Sequence, residues 1–536
     1  MMMKKQSVIV FFSLFLFVLT ARAQQIDWAI YDTSNYAFNP SYPAVPITAD
    51  ADVNLYSAWL LEHGVIFGQQ LFGTHVVSGY AAQGAPRFRH FLGNKAEVSA
   101  LKKTPDGELV IIGTFMDTLS WDSTLLFTVN NSVQYTRNAF ILFVDSTGSV
   151  LRSRNLTLTY PDLEEPFHLT LDPNGNAWIA FFSWTTGYAI CLDAAGQDSL
   201  VRNLSGMQAS LADFSVDGDG AVYVTGGIGF GNYVFAGLPV TVNTGYNSYV
   251  GKVDAAGNGS WFKTIPDITF QDAKICLSGN SIFFSRSLFD SVTVDGIHLE
   301  GPQWVYDVLT VKYDTAGNVL WAKDIPDQPS ITGDLNVSNG SYMVADNAGG
   351  FYLLMDYRGQ VDLGNFVVVG APGSITARGA TLVYHDGNGL PLFHLDVSGV
   401  NILFSYSVAL SNNNEGYFSG TAQGGAQLGP TSIVTPDPYD FVSWVAKFSR
   451  IGTSVGNAET AIRSIYPNPS SGKAVCFNVP LENGLLTVFD VQGRMVREIP
   501  ITEKTQTVPV DLSEGCYLIK VITTESSFSS KLFVQH

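Results

Sequence analysis

Cysteine is scarce, with four residues in 536. That excludes a disulfide-built scaffold, which needs far denser cysteine. Charge is low as well: 14% of residues, against roughly 25% in ordinary soluble domains. Positive charge is the rarer sign, with 29 Lys plus Arg against 47 Asp plus Glu and a net charge of −18. Such a surface repels nucleic-acid phosphates and anionic lipid, so neither is an expected partner. After residue 19 no apolar run is long enough to span a bilayer. Long helical periodicity is missing too, which argues against an α-helical protein. What is present is 46% hydrophobic residues, 12% aromatics and 51 glycines. Wholesale disorder is thereby excluded, and the length suits two to four domains.

Lys4 and Lys5 form a positive start, and Val8 to Leu19 is almost wholly apolar. Ala21-Arg22-Ala23 supplies the small-x-small pattern, so residues 1–23 read as a signal peptide cut between Ala23 and Gln24. The alternative is a membrane anchor, for which the run is short of the roughly 20 residues needed. No cysteine follows the cleavage site, which speaks against a lipoprotein. The expectation is an exported chain with no membrane span once mature.

Two phrases recur downstream. The first is a glycine-bearing turn followed by a short apolar strand, as in Asp106-Gly107 before Leu109 to Ile112, or Asp217-Gly218-Asp219-Gly220 before Val222 to Val224. The second is a strand, then Asp-x-x-Gly, then another strand, often carrying Trp, as in Asp254 to Gly257 with Trp261 and Asp314 to Gly317 with Trp321. The first series falls at residues 64, 107, 175, 220, 279, 349 and, with Asn in place of Gly, 414; the second falls at 84, 148, 196, 257, 317, 389 and 452. They interleave without exception. Each unit is therefore about four strands and two tight turns, clearest at 166–172, 176–184, 187–193 and 198–204. One such sheet cannot bury both faces alone, whereas copies packed around an axis can. The expected fold is all-β, a seven-bladed β-propeller over 24–452. Six blades, a pair of sandwiches, or generic antiparallel β remain as alternatives. The seventh unit lacks an outer strand after Gly452, and Gln25 to Ile30 resembles the outer strand Val319 to Asp324. The N-terminal segment is expected to complete the last blade and close the ring.

Residues 453–464 are polar and read as a linker. Beyond it, 465–536 alternate as a small β-sandwich. This region contains Tyr466-Pro467-Asn468-Pro469 with Gly472, a central Val488-Phe489-Asp490-Val491-Gln492-Gly493-Arg494-Met495-Val496, the strand from Leu512 through Gly515 to Val521, and a terminal Lys531-Leu532-Phe533-Val534-Gln535. Together they resemble the type A C-terminal sorting domain of the type IX secretion system of Bacteroidetes. Cys516 departs mildly from the aliphatic residue usual there. The resemblance implies a seven-stranded sandwich, recognition by the type IX secretion machinery, and delivery to the outer-membrane surface or release. The repeats, best seen from Asp314 to Lys323, more loosely resemble the SBBP-type propellers of secreted Bacteroidetes proteins. That likeness implies fold and not activity.

Little points to chemistry. Gly452-Thr453-Ser454-Val455-Gly456 matches a nucleophile elbow but is followed by linker, not helix. His63, His75, His90, His168, His298, His385 and His394 show no metal-ligand spacing and read as loop or satisfied core residues. Asp217 and Asp219 are a weak Ca²⁺ candidate; the rest of a calcium loop is missing, and a plain turn is the better reading. No other cofactor is expected. Asp162, Glu164 and Glu165 could serve a glycosidase but read as solvated loop. Cys191 and Cys276 read as buried thiols, while Cys476 and Cys516 could be bonded or free in an exported protein. Inserts at 115–138, 228–246, 286–304, 358–377 and 420–438 are either binding loops or simply outer hairpins. Asp117, Asp122, Asp145, Asp198, Asp290 and Asp314 each open an Asp-Ser/Thr triplet resembling the O-glycosylation motif of the phylum. The functional expectation is an exported propeller that binds a glycan or protein, with no catalytic residues. An extracellular polysaccharide- or peptide-degrading enzyme and a structural or adhesive envelope component are the alternatives.

Overall fold

The computed structural model describes residues 24–32, 45–60, 64–66, 69–71, 75–93, 96–129, 137–160, 168–182, 187–204, 210–266, 273–301, 306–325, 334–337, 342–346, 348–363, 367–369, 378–399, 401–411, 415–435, 437–439, 441–450, 465–466, 471–481, 484–490, 494–523 and 527–535. Two compact units divide after Ile451. Among the described residues the one helical element is a 3-10 turn, Leu156–Leu158.

The larger unit is a series of antiparallel sheets of one plan. The first sheet holds Ile47–Ala49, Leu55–Leu60, His75–Tyr80 and Pro86–Phe91, and the second Ala96–Lys103, Leu109–Phe115, Asn138–Val144 and Val150–Asn155. The third holds His168–Leu171, Ala177–Phe182, Gly187–Leu192 and Asp198–Asn203, within a residue or two of the strands expected there. The fourth runs Asp213–Val216, Val222–Phe235, Leu238–Val253, Gly259–Pro266, and the fifth Lys274–Ser278, Ser281–Leu288, Asp307–Asp314, Val319–Ile325. In the sixth, Asp334–Val337 and Met343–Ala345 both pair with Phe351–Arg358, followed by Arg378–His385 and Pro391–Gly399. The seventh orders Ile402–Leu410, Glu415–Gln423, Phe441–Arg450 and then Gln24–Asp32 from the other end of the chain.

The middle strands show why the sheets stack. Every residue of Leu109–Phe115 and Asn138–Val144 is buried, whereas the outer strand Val150–Asn155 alternates. A strand buried on both faces needs a neighbour on each side. The first strands lie against one another in sequence order, and that of the seventh sheet also lies against that of the first. Apolar clusters fill the gaps between successive sheets, including Val45, Ile47, Leu55 and Trp59 against Ala409, Tyr417 and Val445 at the seventh-to-first gap. The arrangement is propeller-like.

The turns follow a shared rule. Asp314 Oδ1 accepts the Ala316 and Asn318 N–H groups, each at 2.9 Å, and the carbonyl of Asp314 accepts Gly317 N–H at 3.0 Å. The third turn residue must be left-handed, and Gly317 sits at φ 85°. Two successive turns are then capped from the preceding sheet. Trp261 of sheet four donates its indole N–H to Thr315 O in sheet five, and Trp321 of sheet five donates to Gly387 O in sheet six, both at 3.2 Å. A methyl group on Gly317 would lie 2.7 Å from the Trp261 ring. Gly317→Ala is therefore expected to lower stability by about 1–3 kcal/mol. Urea unfolding measures this, and an unchanged midpoint would refute the cap.

One repeat is misplaced by glycine counting. Gly64 does not open the first sheet; it lies in an extra hairpin, Gly64–Ile66 with Gln69–Leu71. The opening turn is Asp50 to Asn54, where Asp50 Oδ1 accepts from the N–H groups of Asp52 and Asn54. Val53 holds the left-handed position at φ 63°, so the glycine that marks the other copies is absent.

The smaller unit has its own core, including Val475, Leu486, Val488, Ile519, Val521 and Leu532. Ile465–Tyr466, Ala474–Leu481 and Thr505–Pro509 form one sheet. Met495–Ile501, Gly484–Asp490, Gly515–Thr523 and Ser527–Val534 form the other, in that order. This matches the expected small sandwich of seven strands.

Candidate functional site

The first strands of sheets two to five bring four ionisable side chains together: Lys102, His168, Asp213 and Lys274. Alternation places them there. Along Asp213–Val216 the pattern is partly exposed, buried, partly exposed, buried, so Asp213 and Ser215 share the face opposite Phe214 and Val216. Their polar atoms meet the neighbouring sheets. Lys274 Nζ donates to Ala212 O at 2.8 Å, and His168 Nε2 lies 3.3 Å from Leu211 O. Asp213 Oδ2 accepts Ile275 N–H at 3.1 Å, and Ser215 Oγ donates to Ile275 O at 3.1 Å.

Burial sets their protonation. It holds His168 down to about 3, helped by the charge of Lys274, so the imidazole is neutral and donates from Nε2. Burial raises the Asp213 carboxyl, against the pull of Lys274, the Ile275 N–H and Lys102. Burial lowers Lys102, and Asp213 partly restores it. Lys102 and Asp213 belong to sheets two and four, so this attraction acts past sheet three. A second pair behaves alike: Tyr406 of sheet seven is pushed up to about 12 by burial and by Glu97 of sheet two. Glu97 also faces Arg137 at 3.6 Å. Side chains that interact past an intervening sheet lie where the first strands converge.

The residues singled out in the sequence have other fates. Asp217 Oδ1 accepts from Asp219 N–H at 3.1 Å and Ala221 N–H at 2.9 Å, and its Oδ2 accepts from Tyr223 at 3.2 Å. Both oxygens are occupied within the turn, and no group of three or more metal-ligating side chains occurs among the described residues. The elbow at 452–456, the acidic Asp162, Glu164 and Glu165, and His63 lie outside the described residues, as do Ala21, Ala23, Pro467, Asn468, Pro469 and Gly493. Gln24 begins the closing strand opposite Arg450. Tyr466 pairs with Cys476, Lys531 with Leu518, and Gly515 with Val534. His75 and His394 are satisfied by Ala96 O and Asp396, whereas His90 meets Asp122 through Nδ1 at 2.8 Å and its buried Nε2 has no partner among the described residues. His385 is not a satisfied core residue: it is buried and stacked 4.9 Å from Phe351, and neither ring nitrogen has a partner among the described residues.

Among the described residues the inserts hold short hairpins. They include Thr118–Trp121 with Thr124–Thr128, Val292–Val294 with Ile297–Leu299, and Ala426–Leu428 with Thr431–Ile433. In sheet four the strands themselves lengthen to 14 and 16 residues and expose Phe230 and Tyr246.

All four cysteines are free, so the bonded alternative for Cys476 and Cys516 does not form. They lie in different sheets of the sandwich. Burial raises the thiols of Cys191 and Cys276. A thiol reagent should modify Cys476 and Cys516 quickly in the native protein and all four only after unfolding.

His168 and His385 also set an acid response. Both are held down to about 3, chiefly by burial. The unfolded state takes up their protons near the ordinary value of about 6.5. Their stabilising contribution is complete above that pH and is lost as pH falls from about 6.5 toward 3. Carboxylates add a steeper loss below about pH 4. Arg152 holds Glu108 below its ordinary range; at Asp198 burial acts upward, but Arg154 and Tyr160 outweigh it. Melting temperature should therefore decline from pH 6.5 downward. His385→Phe, which keeps the stack and removes two unpaired nitrogens, should raise it and flatten the decline; a lower melting temperature would contradict this.

These features define an exported-type, all-β chain with a propeller-like body and a separate terminal sandwich. Residues 464–535 match the family described as the secretion system C-terminal sorting domain. The C-terminal unit is a sorting domain of the type IX system, and the protein is exported by that route to the cell surface or released. No helix among the described residues is long and apolar enough to cross a membrane. No curated protein sequence matches the chain. Among solved structures it is similar to PorZ of Porphyromonas gingivalis, described as an essential surface component of the type-IX secretion system (10% identity, 94% of this chain and 76% of that one, TM-score 0.23). It is also similar to Drosophila Plexin A in complex with Semaphorin 1b (8% identity, 80% and 88%, TM-score 0.35). A third is a puromycin hydrolase (11% identity, 90% and 59%, TM-score 0.39).

Sequence reasoning passed over Lys102, Asp213 and Lys274. The available signal was a charged residue within each of three short first strands, two of them on the partly exposed parity. Without knowing that successive first strands adjoin, those residues read as ordinary surface charge.

Proposed function

We propose that the protein is a seven-bladed, ring-closed propeller that binds a ligand outside the cell and carries no chemistry of its own. The supporting observation is the use made of the converging groups. Asp213, His168 and Lys274 each bond a backbone group of an adjoining sheet, so they act as fixtures of a rigid wall. A general acid or base must instead reach the substrate's proton, and a nucleophile needs a base beside it. The wall still presents hydroxyl, imidazole and ammonium groups where the first strands converge, which is the kind of polar lining that fixes a ligand's orientation. Seven sheets of similar plan and the apolar contact of the last with the first support the seven-blade reading.

The test is to pass the chain from residue 24 onward over immobilised glycan and peptide panels, scoring both retention and cleavage. Retention without cleavage supports the reading. Turnover of any panel member overturns it.

A further inference from the structure

This inference rests on the binding reading above and names the ligand's chemistry. We propose that the converging first strands of sheets two to five form a site for an anionic sugar, with the Lys102 ammonium meeting its carboxylate or sulfate. The charge count favours an anion: Lys102 and Lys274 are two positive charges, Asp213 is one negative and His168 is neutral, while Glu97 on the Lys102 strand is offset by Arg137 at 3.6 Å, leaving a surplus of one positive in a chain whose net charge is −18. Lys274 is committed to Ala212 O. Lys102 has no hydrogen-bond or ion-pair partner among the described residues, although it is half-buried and Asp213 is near enough to act on it. A partly desolvated ammonium without a partner gains a charge-assisted bond when an anion arrives.

The edges of the first strands decide between sugar and peptide. A peptide docks on a sheet edge by adding a strand to free N–H and C=O groups. Along the adjoining strands of sheets four and five several of those groups are taken: Leu211 O and Ala212 O by His168 and Lys274, Ile275 N–H by Asp213, and Ile275 O by Ser215. What remains is side-chain chemistry, including Ser99 and Thr170 on the partly exposed positions of their strands. Short hydroxyls beside one cation suit a hydroxylated ring bearing one acidic group.

The experiment uses the chain from residue 24 onward on an array of neutral, uronate-bearing and sulfated oligosaccharides, with acidic peptides alongside. Native protein should retain anionic sugars over their neutral counterparts. Lys102→Met should weaken that retention roughly tenfold or more, and Lys102→Arg should restore part of it. The melting temperature of Lys102→Met should change little, since the desolvation cost of the Lys102 ammonium opposes its attraction to Asp213; a marked fall would show a structural role and count against the site. Retention of neutral sugars alone, of acidic peptides in preference, of nothing on the array, or equal retention by Lys102→Met overturns the inference. All of these but the empty array leave the binding reading standing. Cleavage of an array sugar sinks the binding reading instead, and the anionic site survives it only if Lys102→Met abolishes the cleavage.

Discussion

A chain starting at residue 33 should melt roughly 5–10 °C below one starting at residue 24, and it should self-associate. Residues Gln24–Asp32 supply the fourth strand of the seventh sheet, paired from Gln24 with Arg450 to Asp32 with Ser443. Ile26 is buried, and Trp28 packs tilted against Tyr417, ring centroids 5.7 Å apart, while donating to Ala82 O of the first sheet at 3.1 Å. Trp28 thus repeats the cap that Trp261 and Trp321 make elsewhere, across the junction between the seventh sheet and the first. Asp27 adds a bond from Ser449 at 2.8 Å. Trp28 is only partly buried, so Trp28→Ala should cost less than the about 3–5 kcal/mol of a fully buried aromatic but still account for part of the effect. Removing the whole strand also leaves Phe441–Arg450 with an unpaired edge, which invites strand addition between molecules. Calorimetry and light scattering read both consequences. A peptide of residues 24–32 added in excess should restore monomer and melting temperature. Equal melting of the two chains would falsify closure by this strand.

The closing strand was legible because its residues copy another outer strand: Trp28 with Ala29 mirrors Trp321 with Ala322. The Asp-x-x-Gly turns were legible for a similar reason, since a left-handed residue after a type I turn selects glycine and the side-chain bonds select aspartate. Where chemistry broke that link, the reading slipped. Val53 takes a glycine's conformation and hid the first turn, and Gly64 was counted in its place. The site was least legible. His168 lies 43 residues before Leu211, and Lys274 lies 62 after Ala212. No local pattern states which residues of one repeat face those of the next. That depends on how closely the first strands approach, a property of stacking rather than of any one strand. The paired cysteines show the same limit. Cys476 and Cys516 both fall on strands of one small domain, yet pairing partners and sheet membership keep them apart.

Gly472→Val should abolish delivery to the cell surface while leaving the propeller-like unit folded. The residue follows the Tyr-Pro-Asn-Pro stretch and sits at φ 78°, where a side chain is strained. Its carbonyl accepts Leu512 N–H at 2.7 Å, and the approach is so close that a Cβ would lie 2.2 Å from Leu512 O. Any side chain must push the Leu512 backbone away. Leu512 is part of the core with Val475 and Val534, so the displacement reaches the centre of a unit of only some 70 residues. A loss of about 3 kcal/mol is a large share of what such a domain has. The division after Ile451 leaves the core of the larger unit untouched. In a type IX-competent host the variant should therefore accumulate inside the outer membrane, with a native melting transition for the larger unit. A chain ending at residue 464 should behave alike. Residues 465–536 fused to an unrelated folded reporter with a signal peptide should reach the surface, and the same fusion carrying Gly472→Val should not. Surface protease accessibility with cell fractionation separates these outcomes. Normal surface delivery of Gly472→Val would show that the machinery reads the terminal strands without needing the packed sandwich, and the fold of the unit would then not be the signal.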